Sequence, residues 1–211
     1  MAAGTAVAIL VGGRSRRMGG RAKAALPLGD RTVLERVLDT ADGLGRPVGL
    51  VAGREAADDG DELARLLERL GRPVVRDRHA DAGPLGGLEA AFAATDAGRV
   101  LLLACDLPFL TLPFLSWLVS QDEGGSAVVP AEEDGRCHPL CAVYPASCRA
   151  PLIERIETRQ LRVHDFVGAI DARILPRPLW QRFDPRGRLL ANLNEPADYR
   201  QALRWLDETG E

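Results

Sequence analysis

"AVAILVGGRSRRMGGRAK", residues 6–23, joins a short apolar run to a segment dense in glycine and basic side chains. The run is long enough for one buried strand, and Gly12 and Gly13 follow it directly. Because glycine adopts backbone conformations that other residues avoid, the strand is expected to end in a flexible loop whose N–H groups can turn toward an anion. The stretch therefore predicts a strand followed by an anion-binding loop.

Further apolar runs of the same kind recur along the chain and alternate with helical patterns. Strands are predicted at 6–10, 47–53, 73–77, 99–106 and 126–131, and helices lie between them at 32–44, 61–71 and 85–98. Residues 100–103 are apolar throughout, as a strand buried on both faces requires. The pattern predicts an α/β fold, a single Rossmann-like three-layer domain with a mostly parallel central sheet and helices on both faces, with ligands bound at the carboxyl ends of the strands.

Length and charge limit the class of protein. The 211 residues suit one domain, and 27 Lys plus Arg against 30 Asp plus Glu argue against a protein that coats nucleic acid. The first residues lack both the length of a membrane span and the basic start of a signal peptide, which predicts a cytoplasmic protein with no membrane partner. The four cysteines have no zinc-ribbon spacing and are expected to be structural thiols.

The glycine loop at 10–23 fits neither of the two common phosphate-binding motifs. It has no Gly-Lys-Ser/Thr and no Gly-x-Gly-x-x-Gly, so the Walker A and dinucleotide fingerprints are excluded. A simple turn flanked by solvated arginines stays open as an alternative. The order of residues instead resembles the Gly-Gly-x-Ser-x-Arg-Met-Gly signature, followed by lysine, of nucleotidyltransferases that attach a nucleoside monophosphate to a small acceptor. The matching residues are Gly12, Gly13, Ser15, Arg17, Met18, Gly19 and Lys23.

Other blocks narrow the resemblance to one family. Residues 77–92, 101–110, 137–145 and 189–199 resemble the remaining motifs of the molybdenum cofactor guanylyltransferases, the MobA family. The resemblance implies that GTP and molybdenum-molybdopterin react, with Mg2+, to give the guanine dinucleotide form of the cofactor and pyrophosphate. It also implies a nucleotide-binding half at about 1–110, a pterin-binding half at about 111–200, and molybdenum-insertion and molybdoenzyme-maturation proteins as partners.

Three residues are expected to carry the chemistry. Asp106 ends an apolar strand, so its carboxylate should emerge near Gly12 and Gly13, where it could hold Mg2+ against a triphosphate. A turn aspartate before Pro108 is the alternative. Arg17 and Lys23, the only lysine in the chain, are expected to supply positive charge to phosphates.

The remaining nucleotide contacts are implied by the resemblance. Asp77 ends another strand, and its carboxylate could select guanine through the N–H donors of the base; a turn role is the alternative. Residues 82–87 can begin a helix at Pro84 and expose backbone donors, or form only a tight turn. Val11 stands where alanine is usual in the family. The predicted nucleotide-binding set is Leu10, Val11, Gly12, Gly13, Ser15, Lys23, Asp77, Gly83, Pro84 and Asp106.

The pterin-binding set implied by the resemblance is His138, Arg162, Asn192 and Asn194. A zinc site at Cys137, His138 and Cys141 is disfavoured because a fourth ligand with suitable spacing is missing. The asparagines could instead cap the helix predicted from Pro196. Glu195 replaces the threonine usual in the family, which affects the local cap geometry but not the asparagines.

The expected reaction is an in-line displacement in which a phosphate oxygen of the pterin attacks the α-phosphorus of GTP and pyrophosphate leaves. The alternatives are a cytidylyltransferase on the same pterin, a sugar-phosphate nucleotidyltransferase, and a nucleotide- or pterin-binding carrier without turnover. The protein is expected to be a monomer.

Overall fold

The computed structural model describes residues 4–12, 22–53, 60–121 and 125–208. Its strands are β1 (Thr5–Val11), β2 (Pro27–Leu28), β3 (Arg31–Thr32), β4 (Val48–Ala52), β5 (Val74–Arg76), β6 (Arg99–Ala104), β7 (Val128–Ala131), β8 (Cys141–Pro145) and β9 (Arg173–Pro176). Its α-helices are α1 (Val33–Asp42), α2 (Gly60–Leu70), α3 (Gly83–Ala93), α4 (Leu112–Ser120), α5 (Arg149–Glu157), α6 (Val163–Ala169) and α7 (Pro196–Asp207). Each strand predicted from the sequence is present, with ends shifted by one or two residues.

The central sheet has seven strands in the order β5-β4-β1-β6-β8-β7-β9. Strands β4, β1 and β6 pair in parallel, and β5 extends this parallel block. Strand β8 runs antiparallel to both of its neighbours, while β9 is parallel to β7. The prediction of a mostly parallel sheet is confirmed, with β8 and β9 as strands that the sequence patterns did not supply.

Helices cover both faces of this sheet because side chains alternate along its strands. Val7 and Ile9 of β1 point into the core beneath α1, α2 and α4. Ala8 points into a second core beneath α3, α5 and α6, where Phe92 and Phe166 are fully buried. The predicted three-layer arrangement is therefore confirmed.

The final helix, α7, packs on the small β2–β3 hairpin rather than on the central sheet. Ala202 and Leu206 of α7 contact Leu26, Leu28 and Val33 in a third core. Leu193, just before the helix, belongs to the same cluster and donates its N–H to the carbonyl of Asp106 at 3.1 Å. This packing holds the segment at 192–194 beside the end of β6.

No helix in the described ranges is long and apolar enough to cross a membrane.

Candidate functional site

The polar residues singled out in the sequence lie at one edge of the sheet. Strands β1, β5 and β6 run in the same direction, so Gly12, Asp77 and Asp106 follow their carboxyl ends at that edge. Strand β8 runs the opposite way, which places His138, just before its start, at the same edge. Ligands of open α/β sheets bind at this edge.

Gly12 begins the loop after β1 with a φ of 103°, a backbone conformation that favours glycine. The carbonyl of Leu10 accepts the N–H of Cys105 at 3.1 Å, which ties the ends of β1 and β6 together. The side chain of Val11 is buried in the core, so the branch that distinguishes it from alanine is accommodated there. Gly13, Ser15 and Arg17 lie outside the described residues.

Asp106 occupies the turn after β6 and has an unusual environment. Its Oδ1 atom is buried and has no hydrogen-bond partner in the part of the chain that the structure describes. Burial raises the pKa of the Asp106 carboxyl above its usual value, and the nearby charge of Lys23 partly opposes this rise. A buried, unpartnered carboxylate oxygen is costly unless a cation or donor joins it. The carboxyl also has a hydrogen bond with its own backbone, which likewise lowers its pKa, but Oδ1 takes no part in capping the turn within the described residues.

Lys23 begins a short 3-10 helix, Lys23–Ala25, and its Nζ donates to Asn194 Oδ1 at 2.9 Å. The two residues are 171 positions apart in sequence. Together with the bond from Leu193 to the Asp106 carbonyl, this contact joins the segment before α7 to Lys23 and to the turn after β6. Lys23, Asp106 and Asn194, predicted from separate motifs, are thus brought together.

The Asp106 carboxylate alone supplies few ligands for a metal ion. Within 4–12, 22–53, 60–121 and 125–208, no cluster of three or more His, Cys, Asp or Glu could hold a metal ion. Mg2+ nevertheless commonly uses one or two carboxylates and takes its other ligands from substrate phosphates and water. The unpartnered Oδ1 of Asp106 fits a cation held in this way.

Asp77 follows β5 and is almost fully buried. Its Oδ1 accepts the N–H of His79 at 2.8 Å, so the turn role considered in the sequence is present. Its Oδ2 lies over the backbone of Gly86 in α3, where a Cβ atom would come within 2.2 Å of it. The close approach of carboxylate and helix explains why position 86 needs glycine.

The segment before α3 adopts the helix start predicted for it. Gly83 has a φ of 58°, and Pro84 occupies the first turn of the helix. The helix begins at the same sheet edge as Asp77. The backbone N–H groups of its first turn therefore lie at the same edge as the Asp77 carboxylate.

The predicted pterin-binding residues divide into a buried and an exposed group. His138 is 9% exposed, and its Nε2 lies 3.0 Å from Glu132 Oε1. Arg162 precedes α6 and is exposed, as are Asn192 and Asn194. Asn194 does not cap α7 with its side chain; instead the N–H groups of Asn194 and Glu195 both donate to Asp198 Oδ2 at 2.8 Å.

The thiols of this region are poor candidates for nucleophiles or metal ligands. Burial raises the pKa of Cys105 to about 12 and that of Cys141 further still, so both are neutral near pH 7. Cys137 is partly exposed, and burial also raises its pKa. These raised pKa values disfavour the thiolates that a zinc site at Cys137 and Cys141 would need.

The sequence patterns did not point to three further charged residues at this edge: Glu132, Arg177 and Asp184. Arg177 donates to Glu132 Oε2 at 2.9 Å and to Asp184 Oδ2 at 3.1 Å. Glu132 and Arg177 follow the carboxyl ends of β7 and β9, at the same edge as Asp106. No local sequence signal could reveal a contact between residues 45 positions apart on two strands that the sequence did not pair.

Comparison with known proteins shows which family and which relatives this chain is similar to. Residues 7–171 match the family described as "MobA-like NTP transferase domain". A protein of Carboxydothermus hydrogenoformans named "Probable molybdenum cofactor guanylyltransferase" is 32% identical over 198 residues, which cover 94% of each chain. The "Molybdenum cofactor guanylyltransferase" of Mesorhizobium japonicum is 35% identical over 211 residues, also 94% of each chain.

Solved structures show the same fold. A crystal structure titled "Molybdopterin-guanine dinucleotide biosynthesis protein A" from Archaeoglobus fulgidus superposes with a TM-score of 0.82 at 24% identity. The match covers 97% of this chain and 100% of that one. The architecture therefore lies within a known fold.

Proposed function

We propose that this chain, which belongs to the MobA-like NTP transferase family and within it to the molybdenum cofactor guanylyltransferases, transfers GMP from GTP to molybdenum-molybdopterin. The chain is a nucleotidyltransferase of this family. The observation that carries the proposal is the grouping of Lys23, Asn194 and Asp106 at the sheet edge, with one carboxylate oxygen that has no hydrogen-bond partner among the described residues.

The nucleotide is proposed to lie along β1, β5 and β6, in the half formed by about residues 1–110. Backbone groups from Leu10 to Gly13 and the side chains of Ser15, Arg17 and Lys23 would face the triphosphate. Asp77, with Gly83 and Pro84 beside it, would face the base, since a carboxylate accepts from the N–H groups of guanine and not from the acceptor N1 of adenine.

The pterin is proposed to lie on the other side of Asp106, in the half formed by about residues 111–200. His138, Arg162, Asn192 and Asn194 would contact it, with the exposed Arg162 able to pair with a phosphate. The contact between Lys23 and Asn194 supports this division, because it joins the two halves where the reacting groups must meet.

In the reaction, an oxygen of the terminal phosphate of the pterin forms a bond to the α-phosphorus of GTP. The bond from that phosphorus to the α–β bridging oxygen breaks, and pyrophosphate leaves with the electron pair. The attacking phosphate is anionic at neutral pH and needs no general base. Lys23 and Arg17 would orient the phosphates and offset their charge, which is the main means of catalysis in phosphoryl transfer.

Asp106 would hold Mg2+ on its buried oxygen. A cation held by Asp106 would neutralise charge that develops on the phosphates.

The proposal is tested by incubating the purified protein with Mg2+, molybdenum-molybdopterin and GTP, CTP or ATP, and measuring pyrophosphate and the pterin dinucleotide. GTP-dependent formation of both products is expected. Products from CTP alone would identify a cytidylyltransferase, and binding of nucleotide and pterin without product would identify a carrier. Either result would contradict the proposed reaction. The cytoplasmic location, the monomeric state and the maturation partners stay predictions.

A further inference from the structure

A chain of hydrogen bonds leads from His138 into the protein. His138 Nε2 contacts Glu132 Oε1 at 3.0 Å, Glu132 Oε2 accepts from Arg177 at 2.9 Å, and Arg177 reaches Asp184 Oδ2 at 3.1 Å. Asp184 Oδ1 then accepts the N–H groups of Arg188 and Leu189 at 2.7 and 3.1 Å. The four side chains that form this charged network are each less than one-fifth exposed.

The network determines which nitrogen of His138 carries the proton. A carboxylate accepts hydrogen bonds and cannot donate one, so the ring nitrogen facing Glu132 must be the protonated one. In the neutral ring, Nδ1 is then an acceptor. Among the described residues, the ring makes no hydrogen bond other than the one with Glu132, which leaves Nδ1 for a ligand.

The ring is neutral near pH 7. Burial lowers the pKa of His138 below its usual value, and the hydrogen bond and charge of Glu132 only partly offset this. Asp134 and Arg136, in the turn between β7 and β8, act on the ring with opposite signs. Beyond Glu132, the next charged group in the network is Arg177 on its far side.

An acceptor at this edge suits the proposed substrate. The ring N–H groups and the exocyclic amine of a pterin are hydrogen-bond donors, so an unprotonated Nδ1 can accept from them. A protonated Nδ1 would place two donors face to face, and no hydrogen bond could form. We propose that Glu132 is a positioning residue that holds His138 as the Nε2–H tautomer, so that Nδ1 accepts a hydrogen bond from an N–H group of the pterin. This inference rests on the proposed function.

Glu132→Gln tests the idea with little change of shape. Arg177 only donates, so it holds the amide oxygen and leaves the amide NH2 facing His138 Nε2. Nε2 must then accept, and the proton moves to Nδ1. The substitution is expected to reverse the tautomer and turn the substrate-facing nitrogen into a donor.

The tautomer is read by 15N NMR without any substrate. The chain has three histidines, so the His138 signals are assigned by their loss in His138→Gln. In the wild type at pH 7 we expect a neutral Nε2–H ring, and in Glu132→Gln an Nδ1–H ring. Glu133→Gln, the same change at the exposed neighbouring position, is expected to leave the wild-type tautomer in place.

Activity supplies the second reading. In Glu132→Gln, the KM for molybdenum-molybdopterin is expected to rise about 10- to 100-fold, while the Kd for GTP stays that of Glu133→Gln. A wild-type ring that is Nδ1–H or protonated at pH 7 would overturn the inference even if the variant failed to fold. A reversed tautomer with an unchanged pterin KM would also overturn it. Absence of any wild-type turnover would instead overturn the proposed function, since the NMR result needs no reaction.

Discussion

Two regions of the sheet edge proposed to bind ligands hold their carboxylates in opposite ways. In the central region, formed by β1 and β6, Asp106 keeps a buried oxygen without a hydrogen-bond partner among the described residues. In the outer region, formed by β7 and β9, both oxygens of Glu132 and of Asp184 are hydrogen-bonded. An unpartnered buried charge is a cost that a ligand can relieve, whereas a satisfied network mainly fixes shape. The central region is therefore expected to govern turnover, and the outer region to govern stability and the tautomer of His138.

The largest effect on turnover is expected at Asp106. Asp106→Asn removes the charge that would hold Mg2+, so turnover should fall by roughly 10³-fold or more. The midpoint of thermal unfolding should stay the same or rise, because a buried carboxylate, with one oxygen unpartnered within the described ranges, becomes a neutral amide. Pyrophosphate release and thermal unfolding measure the two effects. Asp96→Asn, the same change at an exposed position, is the control and should alter neither.

The largest effect on stability is expected at Arg177. Arg177→Met leaves Glu132 and Asp184 buried without their shared cation, and also removes the guanidinium from the face of Trp180. Breaking a buried ion pair in this way costs about 3–5 kcal/mol. Urea unfolding measures the loss, and Arg186→Met, at an exposed position, should cost less than about 0.5 kcal/mol. Equal unfolding free energies in the two variants would contradict the structural role given to the outer region.

A smaller effect, on both stability and base selection, is expected at Gly86. In Gly86→Ala the new Cβ would lie 2.2 Å from Asp77 Oδ2, so the carboxylate must move. The expected cost is about 1–3 kcal/mol, together with a reduced preference for GTP over ATP. Gly168→Ala in α6 meets no atom within 4 Å and is expected to stabilise the helix by about 0.5–1 kcal/mol. Preserved base preference in a destabilised Gly86→Ala protein would disfavour the role proposed for Asp77.

The sequence pointed to the central region, at β1 and β6, far better than to the outer region at β7 and β9. Strand β6 has an apolar run directly before Asp106, and β1 has one directly before Gly12, so local patterns locate both the strands and the residues after them. Glu132 and Arg177 follow strands that are short, and β8 between β6 and β7 reverses direction. Their pairing depends on contacts distant in sequence, which neither periodicity nor a motif encodes.

The contact of Lys23 with Asn194 likewise depends on residues that are distant in sequence. Both residues stand in motifs, but their 2.9 Å hydrogen bond follows from the packing of α7 on the β2–β3 hairpin. That packing uses scattered residues such as Leu28 and Leu206. The sequence thus singled out both residues, but it did not predict the contact between them.

Calorimetric binding of GTP, CTP and ATP with Mg2+, in the wild type and in Lys23→Ala, tests most directly whether this edge is a GTP site. Lys23 is the only lysine in the chain, so the variant removes the single ammonium side chain available to a triphosphate. The account predicts that GTP binds selectively and that Lys23→Ala weakens it about 10- to 100-fold. Binding of CTP in preference to GTP, or GTP binding that is the same in both proteins, would contradict it.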